Sequence, residues 1–504
     1  MFVKPELGSM VDSALQKDQA RLPKTTAIAS GLRAALVIGG LSVFTAAVLI
    51  LTPLSALGLE SAHVLWVGAA LLAALCLALG LGRTRVSNAQ KAAFVLWAFL
   101  LFSEQFFSRV GTIDSAFAGA FNVSAYGEAV IWVLGFTLLV PLFIGSPVPI
   151  RHLFSGNYRW VVLFGAVCLI SCAYSPRPFF SAAWALKLWL VILLLHLCSA
   201  YITDVEDIDA FLRITLWALT FLIVNWVLQG DGTNRFFDEQ GRLYGADGLS
   251  ASSGTLLLLS LTLYSSTRGQ GLKKTAVIVG TLAFIVMVVA GGKAGILAGI
   301  VSALLFFTFR KGVGSAAGFL AAAIVLGAIL VIVSPLSKYL HIYSQLDQAG
   351  TLTGRTPLWE VAFPAILQKP VIGHGYVSST FVSVQVNGIP WEAGHMHNGF
   401  LEALYNNGLI GLVLILGILV IMGRNLLRVI RLAPRTDFRY QLGVGCFAIY
   451  VDLLINGLTN ASFAGRAWHP FMLLLGLFVI SEKLAEVTSD EGSSREGIGS
   501  QSAF

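Results

Sequence analysis

Fourteen stretches of this chain are apolar over a length that matches the hydrocarbon core of a bilayer, and that repetition leaves few folds open. A helix rises about 1.5 Å per residue, so roughly 20 residues cover a core of about 30 Å. The runs lie near 34–53, 63–82, 91–107, 127–145, 160–175, 181–202, 213–230, 249–265, 275–291, 294–309, 316–336, 408–423, 440–459 and 468–484. The shortest of them need tilt or flanking residues to span, which leaves the count uncertain by one or two. Composition agrees. Only 12% of the 504 residues are charged, where a soluble protein carries roughly a quarter. A soluble enzyme, a disordered chain and a secreted disulfide scaffold are excluded. The five cysteines sit inside apolar runs and read as small buried hydrophobes. The predicted fold is an all-α polytopic membrane protein of about 14 transmembrane helices.

Charge distribution orients the spans. With the amino terminus in the cytoplasm, inside segments carry 23 of the 33 basic residues and outside segments nine, with Lys187 inside a span. Short basic loops stay on the cytoplasmic side, so both termini are expected there. The net charge of +7 is then a matter of loop sidedness, not of nucleic acid. Residues 1–31 read as a polar cytoplasmic tail without a cleavable signal. Residues 32–486 read as the membrane domain, and 487–504, rich in Ser, Gly and Glu, as a disordered cytoplasmic tail.

One connection is unusually long. Residues 337–407 form an external segment between the eleventh and twelfth spans, and loops of that length are usually functional. Within it PLWEVAFPAILQ reads as a helix with Leu358, Val361, Ala362 and Ala365 on one face, closed by Pro370 and Gly373. A second helix is expected from Asn398, which would cap it and leave His397 at its mouth. The segment thus reads as a partly helical cap.

The order GRTPLWEVAFPAILQKPVIGHGY, then HNGFLEALYNNGLIG, resembles the signature region of the O-antigen ligase and Wzy polymerase superfamily. Weaker matches upstream are GRLYGADGLSASSG and AGGKAGILAG. The resemblance implies a membrane glycosyltransferase of C-type architecture at the periplasmic face of a bacterial inner membrane. It would move an undecaprenyl-diphosphate-linked oligosaccharide to a glycan acceptor hydroxyl, polymerising repeat units of an exopolysaccharide or O-antigen, with other polysaccharide assembly proteins as partners. It also implies His397 as catalytic base and Arg242, Lys293 and Arg355 around the diphosphate, with Asn398 in support. At Lys293 the family more often has arginine.

Chemistry asks for the same residue types. A departing diphosphate builds negative charge that needs fixed cations or a metal, and the acceptor hydroxyl needs a base. Arginine suits phosphate because its planar fork donates two bonds and stays charged. No Asp-x-Asp pair or tight carboxylate cluster stands outside, so no metal and no cofactor are expected, and the reaction would be an inverting displacement.

Each residue has a plainer reading beside the functional one. Arg355 could cap a helix, Arg242 could pair with Asp238, and Lys293 could snorkel to the interface. His395 and His374 are alternative bases. Glu392 and Glu402 read as solvated carboxylates, and Trp359 and Trp391 as interfacial anchors. Lys187 and Asp452, charges within spans, are expected to pair. The rival functions are a ligase to lipid A core, a transporter, and a non-catalytic assembly subunit. A transporter would place carboxylates at depth, and few are there.

Overall fold

The computed structural model describes residues 88–103, 123–144, 150–229, 246–267, 269–333, 355–386, 389–392, 394–460, 463–466 and 468–499. The runs at 34–53 and 63–82, Cys76 and Arg242 lie outside the described residues. From 91–107 onward, each apolar run falls on a helix. In chain order these are α1 Asn88–Ser103, α2 Val123–Ile144, α3 Arg159–Ser171, α4 Pro178–Tyr201, α5 Val205–Gln229 and α6 Ala246–Ser266. They continue as α7 Gln270–Ala290, α8 Lys293–Lys311, α9 Val313–Val333, the cap helix α10 Arg355–Gln368, α11 Gly399–Leu432, α12 Phe438–Thr459 and α13 His469–Gly499. Strands β1 Ser383–Val386 and β2 Ile389–Glu392 form an antiparallel hairpin in the cap. The protein is an all-α membrane-type bundle. By length and apolar composition six of the described helices can cross a bilayer, and four shorter apolar helices accompany them.

The packing follows from where small residues stand. Helix α6 is buried almost all round and lies against α5, α7, α8 and α12. A Cβ on Gly295 would come within 2.5 Å of the Ala251 nitrogen, so α8 touches the α6 backbone directly. Small residues bring helices this close where hydrophobic burial alone does not discriminate, as in a bilayer. The Ser250 hydroxyl, donating to the Met287 or the Gly292 carbonyl (3.0 and 3.1 Å), ties α6 to both neighbours. Cys168, Cys172, Cys198 and Cys446 are buried free thiols, as their apolar settings indicate.

Helix α11 is broken at Gly408, which has φ 63° and ψ −162°. The Pro370–Tyr376 loop is inserted at the break. Leu409 and Ile410 donate to the carbonyls of Pro370 and Val371, while the His374 and Gly375 amides donate to those of Tyr405 and Asn406. The freed backbone groups are thereby paired inside the protein, the condition for non-helical backbone at this depth. A side chain on Gly408 would meet the Val371 carbonyl oxygen at 2.2 Å, which explains why glycine stands there.

Two expectations change. The buried stripe of α10 is Leu358, Ala362 and Ile366, spaced by four, while Val361 is exposed. Period 3.6 permits either stripe; contact with Val382 and Met396 selects the one observed. Lys187 and Asp452 are engaged separately. The Lys187 Nζ lies 4.3 and 4.2 Å from the ring centroids of Trp132 and Trp184. Asp452 accepts from Thr255 at 2.6 Å and Asn456 at 3.3 Å. Aromatic faces stabilise a desolvated ammonium.

Candidate active site

The site forms where four chain segments meet at one end of the bundle. The first is the opening turn of α6. Its Asp247 is joined by the guanidinium of Arg355, the first residue of α10, with Nη2 to Oδ2 at 3.9 Å. The second is the Gly291–Gly292 turn that starts α8. Gly291 adopts φ 72°, and a Cβ on Gly292 would fall 2.7 Å from the Ala246 carbonyl oxygen and 2.9 Å from the Asp247 Cα. No larger residue fits between the two helix starts, and that close approach sets the exposed Lys293 beside Asp247.

The third segment is the His395–Met396–His397 turn. His397 has φ 51°, a left-handed conformation uncommon for a residue with a side chain. Asn398 holds it there by capping α11, its side-chain oxygen accepting from the Phe400 and Leu401 amides at 2.9 and 3.0 Å. Its side-chain nitrogen donates to the Leu458 carbonyl on α12 at 3.1 Å. The His397 amide donates to His395 Nδ1 at 3.1 Å, and the two rings lie 4.0 Å apart. The turn is braced from below by Trp359 and Glu402. The Trp359 indole N–H donates to the Met396 carbonyl at 3.0 Å. Glu402 accepts from the Met396 amide at 2.7 Å, from Asn406 at 3.3 Å and from the Ser379 hydroxyl.

The fourth segment, between α12 and α13, carries Arg466. Its guanidinium stacks over Phe180, Trp184 and Trp468, 5.4–5.7 Å from their centroids. The Tyr376 hydroxyl fixes this segment by donating to the Gly465 carbonyl at 2.8 Å.

Electrostatics follow from this crowding of cations. Burial, reinforced by Arg355 and opposed by Asp247, lowers the His397 pKa to about 4. Burial also holds His395 well below the usual histidine value, with His397, Arg466 and Arg355 adding to it. Both imidazoles are therefore neutral near pH 7. A neutral imidazole among Arg355, Lys293 and Arg466, with Asp247 as the exposed carboxylate, suits an anionic ligand and a proton acceptor next to it.

Of the residues expected at the site, Lys293, Arg355, His397 and Asn398 are brought to this end; Arg242 is outside the described residues. His374 is engaged elsewhere, bonding the Ala365 carbonyl at 2.8 Å and stacking on Tyr405. Glu402 is buried, not solvated, because three donors converge on it. Trp359 braces the histidine turn in place of anchoring the cap at an interface, and Trp391 and Glu392 fall on β2 opposite Val384 and Ser383. Asp247 and Arg466 were not singled out by sequence. A lone carboxylate two residues past Gly245 and a lone arginine in a short connection carry no distinctive signature. Among the described residues no group of three His, Cys, Asp or Glu side chains stands together as a metal set.

Comparison with known proteins points the same way. Residues 252–416 match the O-antigen ligase family, Wzy_C. Lys293, Arg355, His397, Asn398 and Glu402 lie inside that match, and Asp247 and Arg466 lie outside it. Over 333 residues the chain is 22% identical to a Rickettsia felis protein named as a candidate polysaccharide ligase, covering 63% of this chain and 78% of that one. Over 79 residues it is 39% identical to the exopolysaccharide production protein ExoQ of Rhizobium meliloti, covering 14% of this chain and 18% of that one.

Proposed function

From a membrane-type chain whose residues 252–416 match the O-antigen ligase family, we propose a glycosyltransferase that polymerises lipid-linked repeat units. The donor is an undecaprenyl-diphosphate-linked oligosaccharide, and the acceptor is a hydroxyl of a second glycan. The observation that carries the reading is the placement of His397, Arg355 and Lys293 at one end of the bundle, each delivered by a different helix start. The basic-residue asymmetry supports a periplasmic location for this end.

The residues divide the work by charge. Arg355 and Lys293 hold the diphosphate, with Arg242 as a further ligand and Arg466 adding positive potential. His397, neutral at working pH, takes the proton of the acceptor hydroxyl. The acceptor oxygen attacks the anomeric carbon from the face opposite the diphosphate, so a new glycosidic bond forms as the carbon–oxygen bond to the diphosphate breaks. The electron pair leaves with undecaprenyl diphosphate and the configuration inverts. Cations fixed before the reaction stabilise the charge as it develops. The arriving diphosphate raises the His397 pKa from about 4, because a nearby anion favours imidazolium, and so strengthens the base when substrate is bound. No step calls for a metal.

The resemblance to ExoQ, a protein of exopolysaccharide production, favours another repeat unit as acceptor. The relative named for polysaccharide ligation supports the second reading, transfer to lipid A core. Purified full-length protein supplied with lipid-linked oligosaccharide alone tests between them. A ladder of lengthened lipid-linked glycans is the expected product. Turnover only when lipid A core is added would replace polymerisation by ligation, and no transfer in either assay would overturn the glycosyltransferase reading.

A further inference from the structure

At the opposite end of the bundle, roughly 35 Å from His397 by the rise of α11, lies a cavity of about 440 Å³. That size falls among small-molecule sites. Its wall is assembled from the 152–158 segment, the end of α4, the last turns of α11 and the α13 stretch 482–489. The basic-residue asymmetry assigns all four to the cytoplasmic face.

The chemistry of the wall is uneven. Arg424 and Arg428, one turn apart on α11, are exposed into the cavity. The carboxylates across from them are already engaged. Glu486 pairs with Lys483 at 2.9 Å, and Glu482 is hydrogen-bonded to Asn157. The three cations of the wall, Arg424, Arg428 and Lys483, outnumber its two carboxylates, so the wall keeps an excess of positive charge. Between the guanidiniums and the core stands His196, buried at 6% exposure, which lines the cavity with its Nε2 unsatisfied. Its ring is wedged by Tyr158, 5.5 Å away, whose hydroxyl is spent on the Ile192 carbonyl. A buried polar atom without a partner is rare and costly, and one that faces a cavity is matched by a ligand supplying an oxygen.

We propose that this cavity is a second binding site, for a phosphate-bearing ligand held by Arg424 and Arg428 and contacted by His196 Nε2. Paired guanidiniums one helical turn apart fit the oxygens of a phosphomonoester or phosphodiester. Two sources present that chemistry at this face: a phospholipid headgroup of the adjoining leaflet and a small soluble phosphate.

The test is native mass spectrometry of the full chain in a neutral detergent. The probes are dioleoyl phosphatidic acid, dioleoylglycerol, which lacks the phosphate, and glycerol 3-phosphate. Phosphatidic acid is expected to bind and dioleoylglycerol not. The Arg424→Gln/Arg428→Gln variant should weaken binding about tenfold or more, as loss of charge-assisted bonds implies. Arg431→Gln/Arg435→Gln, at exposed positions outside the cavity, should leave it unchanged. Displacement of the lipid by glycerol 3-phosphate assigns the site to soluble phosphates, and retention of the lipid assigns it to headgroups. If the first variant is not monodisperse, Arg428→Gln alone carries the same comparison. Equal losses in the two pairs of variants would reduce the effect to surface charge, and binding of neither phosphate probe would leave no site; either result overturns the proposal.

Discussion

Arg355 and Asp247 face each other across the candidate site, the guanidinium nitrogen 3.9 Å from the carboxylate oxygen. The gap exceeds a hydrogen bond, and Asp247 is about half exposed, so the pair aims Arg355 without occupying its fork. A surface pair of this kind contributes about 0–1 kcal/mol to stability.

If the fork is what grips the diphosphate, charge alone will not replace it. Arg355→Lys is expected to lower kcat/KM at least about tenfold, because the bidentate geometry is lost. Lys293 is already a point charge, so Lys293→Arg should retain far more activity than Lys293→Ala. Steady-state kinetics on purified variants check both. Wild-type rates in Arg355→Lys and Arg355→Ala would remove Arg355 from the site.

The pH profile reports the same cations from the histidine side. His397 is lowered to about 4 by burial and Arg355, against about 6.5 for a free imidazole. The free enzyme should therefore keep its base unprotonated down to that range, and the acid limb of kcat/KM should fall near pH 4. Arg355→Gln removes a depressing charge, so the limb should move upward toward 6.5. Stability follows the linked sign. Between about 4 and 6.5 the unfolded chain binds the proton that folded His397 refuses, so His397 contributes a rise in stability as pH increases through that window and a loss as pH falls. An acid limb at 6.5 in the wild type would contradict the described environment.

Glu402 serves as a brace, and its removal separates structure from chemistry. Glu402→Ala strands the Met396 amide and the Ser379 hydroxyl, both buried. Orphaned buried donors cost about 1–3 kcal/mol each, so the melting temperature should drop. Glu402→Gln keeps one of the two acceptor oxygens and should be milder. Thermal unfolding followed by intrinsic fluorescence measures both.

Much of this arrangement was legible in the residues themselves. The His-Asn pair ahead of an apolar helix announces the Asn398 cap, because an N-cap side chain and helical periodicity are local properties. Glu402 was misread because its burial depends on Ser379, 23 positions earlier, and on Met396, and neither contact leaves a local trace. Lys187 was visible as a charge within a span, but its partners are Trp132 and Trp184, and an aromatic pair looks like ordinary apolar sequence. Arg466 reaches the site through the α12–α13 connection, whose placement is set by the Tyr376–Gly465 bond. The wrong stripe on α10 has the same origin: helical period narrows the choice, and the neighbours make it.

The sidedness of the account is tested separately. A topology reporter fused after Val386 should read periplasmic and one after Arg431 cytoplasmic, as the 23-to-nine basic asymmetry requires. A cytoplasmic signal at Val386 would put the candidate site on the wrong face of the membrane.

The most direct measurement of the central claim is release of undecaprenyl diphosphate by purified protein with and without the His397 imidazole. His397→Ala removes the base, and His397→Asn does so with a residue that tolerates the left-handed backbone. Both variants should be made at wild-type membrane levels and melt within a few degrees of wild type, yet release product on the order of 10²–10⁴ times more slowly, the usual contribution of a positioned acid–base group. Release at near wild-type rate from either well-folded variant would show that His397 only shapes the turn, and would contradict the proposed mechanism.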